Sequence, residues 1–400
     1  MRAVTDRGMM VAVAVLTRAG SVPRISAPEV AWDARAAPTY DPRGRRAAVF
    51  SYEDVVRALR TDGVTMSQHY APDEARTKHP NMSFMWSWDG RAHDDRRRLL
   101  EEPLQRALRG LAPLIRERMN VRLDEALAST ERTFDVIRTL ALVPYDVITV
   151  LIGAPLEDTE LFLGWLEQAN NATLETMPLQ EDTMQAYFGG LIRRARLDPQ
   201  PGFLGELLRA QADGTTFDGI PIGDWDILAS LWGIYSAGTD TTGTSFASIF
   251  LALVDDPDLM VRLRARPELI TPLVEEGLRL DPAFTTARAD TLTDVRFGEV
   301  VIPAGTTVSA WLTSANRDPA VFDRPDELVL DRRPNPHLGF GQGLHLCLGA
   351  PLARLELREM LKVFVSRLAE VPGIRWEPDL PYGRRAGIVH RYTSLHFAYG

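Results

Sequence analysis

The sequence of 400 residues has a single cysteine, Cys347, and only two lysines, Lys78 and Lys362, among its 45 basic residues. One cysteine cannot form an internal disulfide, which favours a reducing compartment. The longest apolar run near the N-terminus, Met9 to Leu16, is too short to span a bilayer, and no small-residue cleavage site follows it. These absences predict a cytoplasmic protein without a membrane anchor.

An excess of positive charge is also lacking, and so are internal repeats. The formal net charge of −9 argues against nucleic acid as the main partner, because phosphate binding needs a basic surface. No low-complexity linker divides the chain, and 45% hydrophobic residues can build a large core. We therefore expect one globular domain over 46–400, preceded by an irregular segment at 1–45.

Hydrophobic periodicity predicts a mainly α fold with small β-sheets. From about Arg91 to Leu280 apolar residues recur at helical spacing. Asp224 to Val254 contains no proline and can form one helix of roughly 45 Å. After Leu280, short alternating runs predict small sheets, and 350–368 returns to helix. Prolines are expected to interrupt the helical region at Pro113, Pro144, Pro155, Pro178 and Pro199.

The only cysteine stands in the stretch FGQGLHLCLGAPLARLE, from Phe340 to Glu356. Pro351 suits a first helical turn, so the thiol precedes a helix N-terminus, where backbone N–H groups and the helix dipole favour a thiolate. The glycines let the backbone fold closely under a flat ligand. Taken alone, a lone cysteine is more often a buried structural residue.

The whole stretch closely resembles the heme-binding loop of the cytochrome P450 enzymes, whose pattern Phe-Gly-x-Gly-x-x-x-Cys-x-Gly is present at every fixed position. The resemblance implies heme b (iron protoporphyrin IX) as cofactor, with Cys347 as its axial thiolate and His345 holding a propionate. In such proteins the sulfur donates electron density to iron and favours O–O cleavage. The other loop positions implied to bind the cofactor are Phe340, Gly341, Gly343 and Gly349.

A second matching pattern is the pair Glu276 and Arg279 in VEEGLRLDP. The two residues lie three apart on one helical face and must be fully hydrogen-bonded if they are buried. The alternative is a surface salt bridge. The pair resembles the family's Glu-x-x-Arg, about seventy residues before the cysteine as in relatives, which implies a structural role beneath the heme.

The expected long helix carries SAGTDTTGT, which resembles the family's central-helix signature. The resemblance implies that Ala237 and Gly238 lie at the cofactor, with Gly238 leaving room for dioxygen. It also implies that Thr241 hydrogen-bonds the bound oxygen and that Asp240 connects it to solvent protons, because O–O cleavage with release of water needs two protons. The simpler alternative is a helix kink with Thr bonding back to the i−4 carbonyl.

Basic residues also stand at positions that match the family's ligands of the heme carboxylates. His93 and Arg97 lie one helical turn apart and resemble the family's His-x-x-x-Arg. Arg288 matches another propionate ligand. The alternative, a solvated basic helix face, is expected for Arg96 and Arg98.

The residues expected around the substrate are mostly apolar or aromatic, which is typical of a pocket that holds a hydrophobic molecule by shape. We predict a terpenoid or a similar bacterial natural product, and an aromatic or polyketide substrate stacked between rings is the alternative. Any single tryptophan here is equally well explained as core. The predicted pocket residues are Phe84, Met85, Trp86, Trp88, Trp232, Tyr235, Ser236, Ala283, Phe284, Thr286, Ile388 and Val389.

Together these motifs imply a heme-thiolate monooxygenase, most similar to bacterial members, that uses O2 and electrons from a ferredoxin with its reductase. The surface near Arg96, Arg98 and Arg354 is expected to receive an acidic ferredoxin. Hydroxylation is the commonest outcome, but coupling, desaturation or rearrangement stay open.

Two functions of other classes also stay open. A non-catalytic helper protein typically loses the cysteine, so Cys347 together with Asp240 and Thr241 argues against it. A heme protein that binds ligands without turnover would fail to couple NAD(P)H oxidation to product.

Overall fold

The computed structural model describes residues 36–60, 66–67, 84–171, 178–377, 379–380, 383–385 and 389–400. Helices make up most of the described chain, which confirms the predicted mainly α fold with small sheets. In chain order the α-helices are α1 (Tyr52–Leu59), α2 (Gly90–Leu127), α3 (Val143–Leu151), α4 (Thr159–Asn171), α5 (Pro178–Leu197), α6 (Phe203–Ala212), α7 (Asp224–Gly238), α8 (Asp240–Asp255), α9 (Pro257–Ala265), α10 (Ile270–Leu280), α11 (Leu312–Ala315) and α12 (Ala350–Ser366).

The strands form one mixed sheet and several two- or three-stranded sheets. They are β1 (Thr39–Asp41), β2 (Arg46–Val49), β3 (Met66–Ser67), β4 (Thr133–Asp135), β5 (Thr216–Phe217), β6 (Ile220–Pro221), β7 (Thr286–Thr291), β8 (Val295–Phe297), β9 (Val300–Ile302), β10 (Thr307–Trp311), β11 (Arg375–Trp376), β12 (Gly383–Arg385), β13 (Arg391–Ser394) and β14 (His396–Ala398). The largest sheet has the order β1-β2-β10-β7-β3. The segment 1–45 is described only from residue 36, where it contributes β1.

The central segment differs from the single helix expected over Asp224 to Val254. It consists of α7 and α8, which are separated at Thr239, whose ψ is −73°. The Thr239 and Thr241 hydroxyls donate to the carbonyls of Tyr235 and Ala237 four residues back, at 2.9 and 2.7 Å. Such back-bonding by threonine bends helices. The break between α7 and α8 therefore falls within SAGTDTTGT, the motif that resembles the family's central-helix signature.

The helix α2 also differs from expectation, because it continues through Pro113. A proline removes only one helical hydrogen bond, and here the neighbouring turns are held by burial of Leu111, Ile115 and Met119. Pro144 and Pro178 do stand in first turns, at the starts of α3 and α5. Among the described segments, no helix combines the length and apolar composition needed to cross a bilayer.

Two hydrophobic cores support the site region. The larger lies among the helices, and the smaller lies under the mixed sheet and includes Leu59, Phe297 and Leu338. The helices α8 and α10 pack so closely that a Cβ on Gly277 would lie 2.3 Å from Ile249 Cγ1. The cysteine loop runs from Leu338 in the smaller core to α12 in the larger one, so both cores position it.

Candidate functional site

Cys347 lies in a loop closed by backbone hydrogen bonds just before α12. The Cys347 N–H donates to the Phe340 carbonyl at 3.0 Å, and the Leu346 N–H donates to the Gly343 carbonyl at 3.1 Å. Gly343 has φ +78°, and a Cβ there would lie 2.7 Å from the carbonyl oxygen of Leu59 in α1. Both facts require glycine, so the motif spacing reflects a tight fold of this loop against α1.

The Cys347 side chain is exposed beside a cavity of about 280 Å³. Protein atoms packed around the sulfur desolvate it in part, and this desolvation raises the pKa of the thiol above its usual value. The N–H groups of Gly349 and Ala350, which point at the sulfur, and the charges of Arg97 and Arg354 act in the opposite direction. A metal ion on the sulfur would reverse the balance, because coordination deprotonates a thiol.

Two histidines lie next to this loop with their rings edge to face. The centroids of His93 and His345 are 4.7 Å apart, and His345 Nε2 lies 2.9 Å from Asp89 Oδ1. His93 is fully buried on α2, and its Nδ1 lies 3.2 Å from Asp94 Oδ1. Burial lowers the pKa of His93, with further lowering by His345 and Arg97. His93 Nε2 has no partner in the described structure, and a buried unpaired nitrogen indicates a missing acceptor.

The donor set fits an iron porphyrin. Cys347 offers sulfur to iron, while Arg97, whose Nη1 donates to the Leu346 carbonyl at 2.8 Å, and the unpaired His93 Nε2 suit carboxylates. Ala237 in the middle of the central segment is exposed, although the nine residues Ile227–Tyr235 are buried, and Leu346 is 43% exposed. A flat hydrophobic group bound at this site would cover these two exposed apolar side chains. Arg288 lies on β7 with an exposed side chain.

The acid and alcohol of the central segment are adjacent at the start of α8. Thr241 Oγ1 donates to the Ala237 carbonyl. The Tyr145 hydroxyl donates to Asp240 Oδ1, and Arg391 Nη2 lies 2.8 Å from Asp240 Oδ2. Gly238 has a packing role, because a Cβ there would lie 3.0 Å from Cδ1 of Ile148 on α3. Thr241 and the exposed Ala237 are thus one turn apart.

Glu276 and Arg279 form a fully buried ion pair on α10. Arg279 Nε and Nη2 donate to the two carboxylate oxygens at 2.7 and 2.9 Å, and Arg332 Nε adds a third contact at 2.9 Å. Burial opposes ionisation, but these donors and the Val329 N–H hold the pKa of Glu276 below its usual value. Arg279 also donates to three backbone carbonyls, those of Asn316, Pro325 and Glu327. The pair is a buried anchor for the chain before the cysteine loop, not a surface salt bridge.

Comparison with known proteins agrees with this arrangement. The sequence model described as "Cytochrome P450" matches residues 266–370. The chain is 36% identical over 341 residues to the mycinamicin IV hydroxylase/epoxidase of Micromonospora griseorubida, covering 82% of each protein. It is 31% identical over 336 residues to cytochrome P450 105A3 of Streptomyces carbophilus, covering 81% of this chain and 80% of that one. The chain belongs to the cytochrome P450 family.

The solved structures similar to this P450 include HmtN, a post-tailoring hydroxylase involved in himastatin biosynthesis. The TM-score is 0.77 at 27% identity, covering 92% of this chain and 94% of that one. The family and fold inferred from the motifs are thereby confirmed. The protein is a P450 monooxygenase, a class of heme enzymes that use O2 and a redox partner to oxidise small molecules.

Among the predicted pocket residues, Phe84 and Trp86 lie against the central segment. A Cβ on Gly233 of α7 would lie 2.1 Å from the Phe84 ring, and the Phe84 and Trp86 centroids are 4.6 Å apart. Met85 is buried beside them. The Trp88 ring centroid instead lies 3.8 Å from the guanidinium of Arg96, and the Phe217 ring centroid of β5 lies 4.4 Å from the same guanidinium. Trp88 therefore fastens the start of α2 to the β5–β6 hairpin.

Trp232 and Tyr235 are buried in an aromatic cluster between α7, α4 and α5. Tyr235 lies 4.8 Å from Phe162, and Trp232 lies 6.4 Å from Phe188, measured between centroids. Their packing assigns them to the core of this P450. Ser236 is partly buried at the end of the cluster and donates to the Gly233 carbonyl at 3.4 Å.

The predicted pocket residues after α10 lie close together. Phe284 is 41% exposed and forms an isolated antiparallel bridge with Val389. Ala283 and Thr286 are buried on either side of Phe284. Ile388 lies outside the described residues.

Several contacts of this site are not visible in the sequence motifs. Glu275 binds Arg354 through two hydrogen bonds of 2.8 and 2.9 Å and also contacts His337 Nε2 at 3.0 Å, which ties α10 to α12 and the cysteine loop. Tyr145 and Arg391, which hold Asp240, come from α3 and β13. The only available signal for Glu275 was its place beside Glu276, and Tyr145 and Arg391 had none.

Proposed function

We propose that this P450 is a heme b monooxygenase that hydroxylates a C–H bond of a hydrophobic natural product, a terpenoid or similar molecule, with electrons from a ferredoxin. The observation that carries the proposal is the exposed Cys347 thiol beside a buried, unpaired imidazole nitrogen of His93 and the guanidinium of Arg97. A sulfur ligand and carboxylate-binding cations at one site match the needs of a heme and of few other groups.

The cofactor would be held by three kinds of contact. Cys347 would supply the sulfur ligand of the iron, with the Gly349 and Ala350 N–H groups directed at that sulfur. His93, Arg97, Arg288 and His345 would bind the heme carboxylates. Phe340, Gly341, Gly343 and Gly349 of the cysteine loop, and Ala237 and Gly238 of the central segment, would contact the ring. When bound, the heme supplies the iron that activates O2.

The chain's own contribution to the chemistry is the delivery of protons. Hydroxylation consumes R–H, O2, two electrons and two protons and forms R–OH and water. Asp240 accepts protons from the solvent side, and the Thr241 hydroxyl holds the proton donor within reach of the oxygen that leaves as water. The buried aromatic and aliphatic walls exclude other water, which limits loss of the oxidant to side reactions.

The proposed substrate class rests on the apolar residues near Phe284 and the edge-to-face pair of Phe84 and Trp86. A polyketide or aromatic substrate is a second candidate. It is supported by a relative named polyketide biosynthesis cytochrome P450 PksS, from Bacillus subtilis, which is 28% identical over 336 residues. Stacking between rings would favour such a molecule, and epoxidation or coupling would then compete with hydroxylation.

Of the three arginines predicted to receive the ferredoxin, we keep Arg98 and Arg354 in the proposed surface and leave out Arg96. Arg96, which was expected on a solvated helix face, is half-buried, with its guanidinium over the rings of Trp88 and Phe217. Arg98 is 71% exposed, and Arg354 lines the cavity beside Cys347. These two cations lie on α2 and α12 and would steer an acidic partner by long-range attraction.

The test is the absorption spectrum of the reduced protein under carbon monoxide. A strongly red-shifted Soret band, lost in Cys347→Ala, is the expected result. Spin-state shifts with terpenoid, polyketide and aromatic compounds then rank the substrate classes, and product formation with NAD(P)H, ferredoxin and reductase completes the test. A heme spectrum without the shift, or bound substrate without product, contradicts the proposal.

A further inference from the structure

Asp240 is held between three elements that are distant in sequence. It begins α8, its Oδ1 accepts a hydrogen bond from the Tyr145 hydroxyl of α3, and its Oδ2 lies 2.8 Å from Arg391 Nη2 of β13. Tyr145 and Arg391 thus contact different oxygens of the carboxylate, and the two side chains differ in exposure. The Arg391 side chain is 27% exposed and Tyr145 only 5%, so Arg391 lies on the solvent side of the acid.

The strand that carries Arg391 is fixed on both sides. The residue before it, His390, donates its N–H to the Ala283 carbonyl at 3.0 Å, and the preceding Val389 bridges to Phe284. The residue after it, Tyr392, is buried and packs in the helical core. With its neighbours held in this way, Arg391 approaches Asp240 from a defined direction.

The Tyr145 hydroxyl is suited to a fixed role as donor. Desolvation and the neighbouring Asp240 carboxylate raise the pKa of Tyr145 well above its usual value, so it stays protonated. A neutral donor on Oδ1 and a cation on Oδ2 leave the carboxylate little freedom to rotate.

We propose that Arg391 and Tyr145 are positioning residues for proton delivery, which orient the Asp240 carboxylate toward Thr241 and toward the solvent side. This inference rests on the proposed function of Asp240 and Thr241. Loss of either partner frees the carboxylate to turn, so protons reach the reacting oxygen less often. Oxygen then leaves as hydrogen peroxide, O2 with two electrons and two protons, in place of two waters, which need four electrons and four protons.

The experiment uses the heme-loaded enzyme with NADH, a ferredoxin and its reductase, without added organic substrate. The measured quantity is the fraction of consumed O2 that appears as hydrogen peroxide, compared among variants at one fixed, saturating concentration of ferredoxin and reductase because the partition also depends on electron supply. We expect Arg391→Gln and Tyr145→Phe to raise the ratio of peroxide to water about tenfold, a part of what a positioned acid contributes. Arg391→Lys keeps the positive charge, so its ratio of peroxide to water should lie close to that of the parent enzyme.

Two further variants distinguish a positioning role of Arg391 from a purely structural one. The exposed pair Arg266 and Glu268, 3.0 Å apart, provides the matched control Arg266→Gln, which should leave the partition unchanged. In an Asp240→Asn background, Arg391→Gln should add nothing further, because the acid that it orients is gone. A role confined to stability would lower the melting temperature while the partition stayed at the parent value.

The outcomes distinguish this inference from the proposed function. A parent enzyme that forms the carbon monoxide complex but makes no product from a bound substrate overturns the monooxygenase proposal, and the inference with it. A parent that consumes O2, with Arg391→Gln and Tyr145→Phe partitioning as the parent does, overturns the inference alone. An equal effect of Arg391→Gln with and without Asp240 also overturns it.

Discussion

The imidazoles of His93 and His345 lie edge to face 4.7 Å apart, yet only His345 has a carboxylate on its Nε2, that of Asp89. His93 Nε2 is buried and without a partner in the described structure. An unsatisfied buried nitrogen costs about 1–3 kcal/mol. A propionate oxygen would remove that cost, so His93 contributes more to cofactor binding than its neighbour, whose nitrogen already has an acceptor.

Replacement of His93 by Phe should therefore weaken heme retention. The ring is kept, but the donor to the propionate is lost, and a hydrogen bond to a charged group is worth about 1.5–3 kcal/mol, or tenfold or more in heme loss. The measurement is the rate of heme transfer to excess apomyoglobin. Arg98→Gln, at an exposed position on the same helix, is the control. Equal rates for parent and His93→Phe would contradict this role.

At the scale of elements, the helices α8, α10 and α12 determine where the thiol lies. Gly277 lets α10 approach Ile249 of α8, and Glu275 on α10 binds Arg354 on α12. The Arg354 guanidinium in turn lies 4.5 Å from the Phe340 ring of the cysteine loop. The geometry of the loop therefore depends on helix packing as much as on its own glycines.

We expect Gly277→Ala to destabilise the protein. Its new Cβ would overlap Ile249 Cγ1, and overpacking of a core costs about 1–3 kcal/mol. Gly110→Ala is the matched control on α2, because nothing lies within 4 Å of its Cβ position. That change should stabilise by about 0.5–1 kcal/mol through helix propensity. Denaturant unfolding measures both, and a Gly277→Ala protein as stable as the parent would refute the close packing of α8 and α10.

The Glu275 ion pairs predict a pH-dependent contribution to stability. Burial opposes ionisation, but His337 and Arg354 lower the pKa of Glu275 from 4.5 to about 2. A carboxylate whose pKa is lower in the folded state stabilises above its unfolded pKa, and this contribution disappears as the pH falls from about 4.5 to about 2.

Glu275→Gln should accordingly cost about 3 kcal/mol at pH 7, at 1.36 kcal/mol per pKa unit. The difference from the parent should fall to less than half at pH 3. Unfolding by guanidinium at several pH values measures it, with Glu131→Gln at an exposed site as control. A difference that does not change with pH would mean that the ion pairs are not responsible.

At the scale of the whole molecule, the site lies where two cores meet. The smaller core under the mixed sheet contains Leu338 at the start of the cysteine loop, and the larger helical core contains Leu352 and Leu357 of α12. Exposed apolar side chains, Phe284 and Leu346 among them, border the site. A bound heme would cover such surface and join the two cores.

Heme removal should therefore lower the melting temperature. A ligand that binds only the folded state at 1,000 times its Kd stabilises by about 4 kcal/mol. For a chain of this size we expect a shift of at least about 5 °C between heme-loaded and heme-depleted protein. Scanning calorimetry measures the shift, and refilling with hemin is the control. Equal melting temperatures would show that the cofactor does not connect the two cores.

The family and the fold class of this protein followed from sequence motifs alone, and the same motifs predict its chemical centre. The cysteine loop, Glu276 with Arg279, and Asp240 with Thr241 are local patterns, and local spacing dictates backbone conformation and helix face over a few residues. A helix kink within SAGTDTTGT was the simpler alternative to the proton-delivery role, and the structure has a break there at Thr239, although one unbroken helix was expected over Asp224 to Val254. The division into 1–45 and 46–400 and the individual site roles stay predictions.

Contacts between side chains that are distant in sequence depend on the packing of the whole chain. Tyr145 reaches Asp240 across 95 positions, and no periodicity or motif encodes that contact. Trp232 and Trp88 look alike as aromatic residues near the motifs, yet one is core and the other stacks on Arg96. The physical reason is that burial and pairing depend on how helices and strands pack across the whole chain, where a shift of one turn exchanges every neighbour.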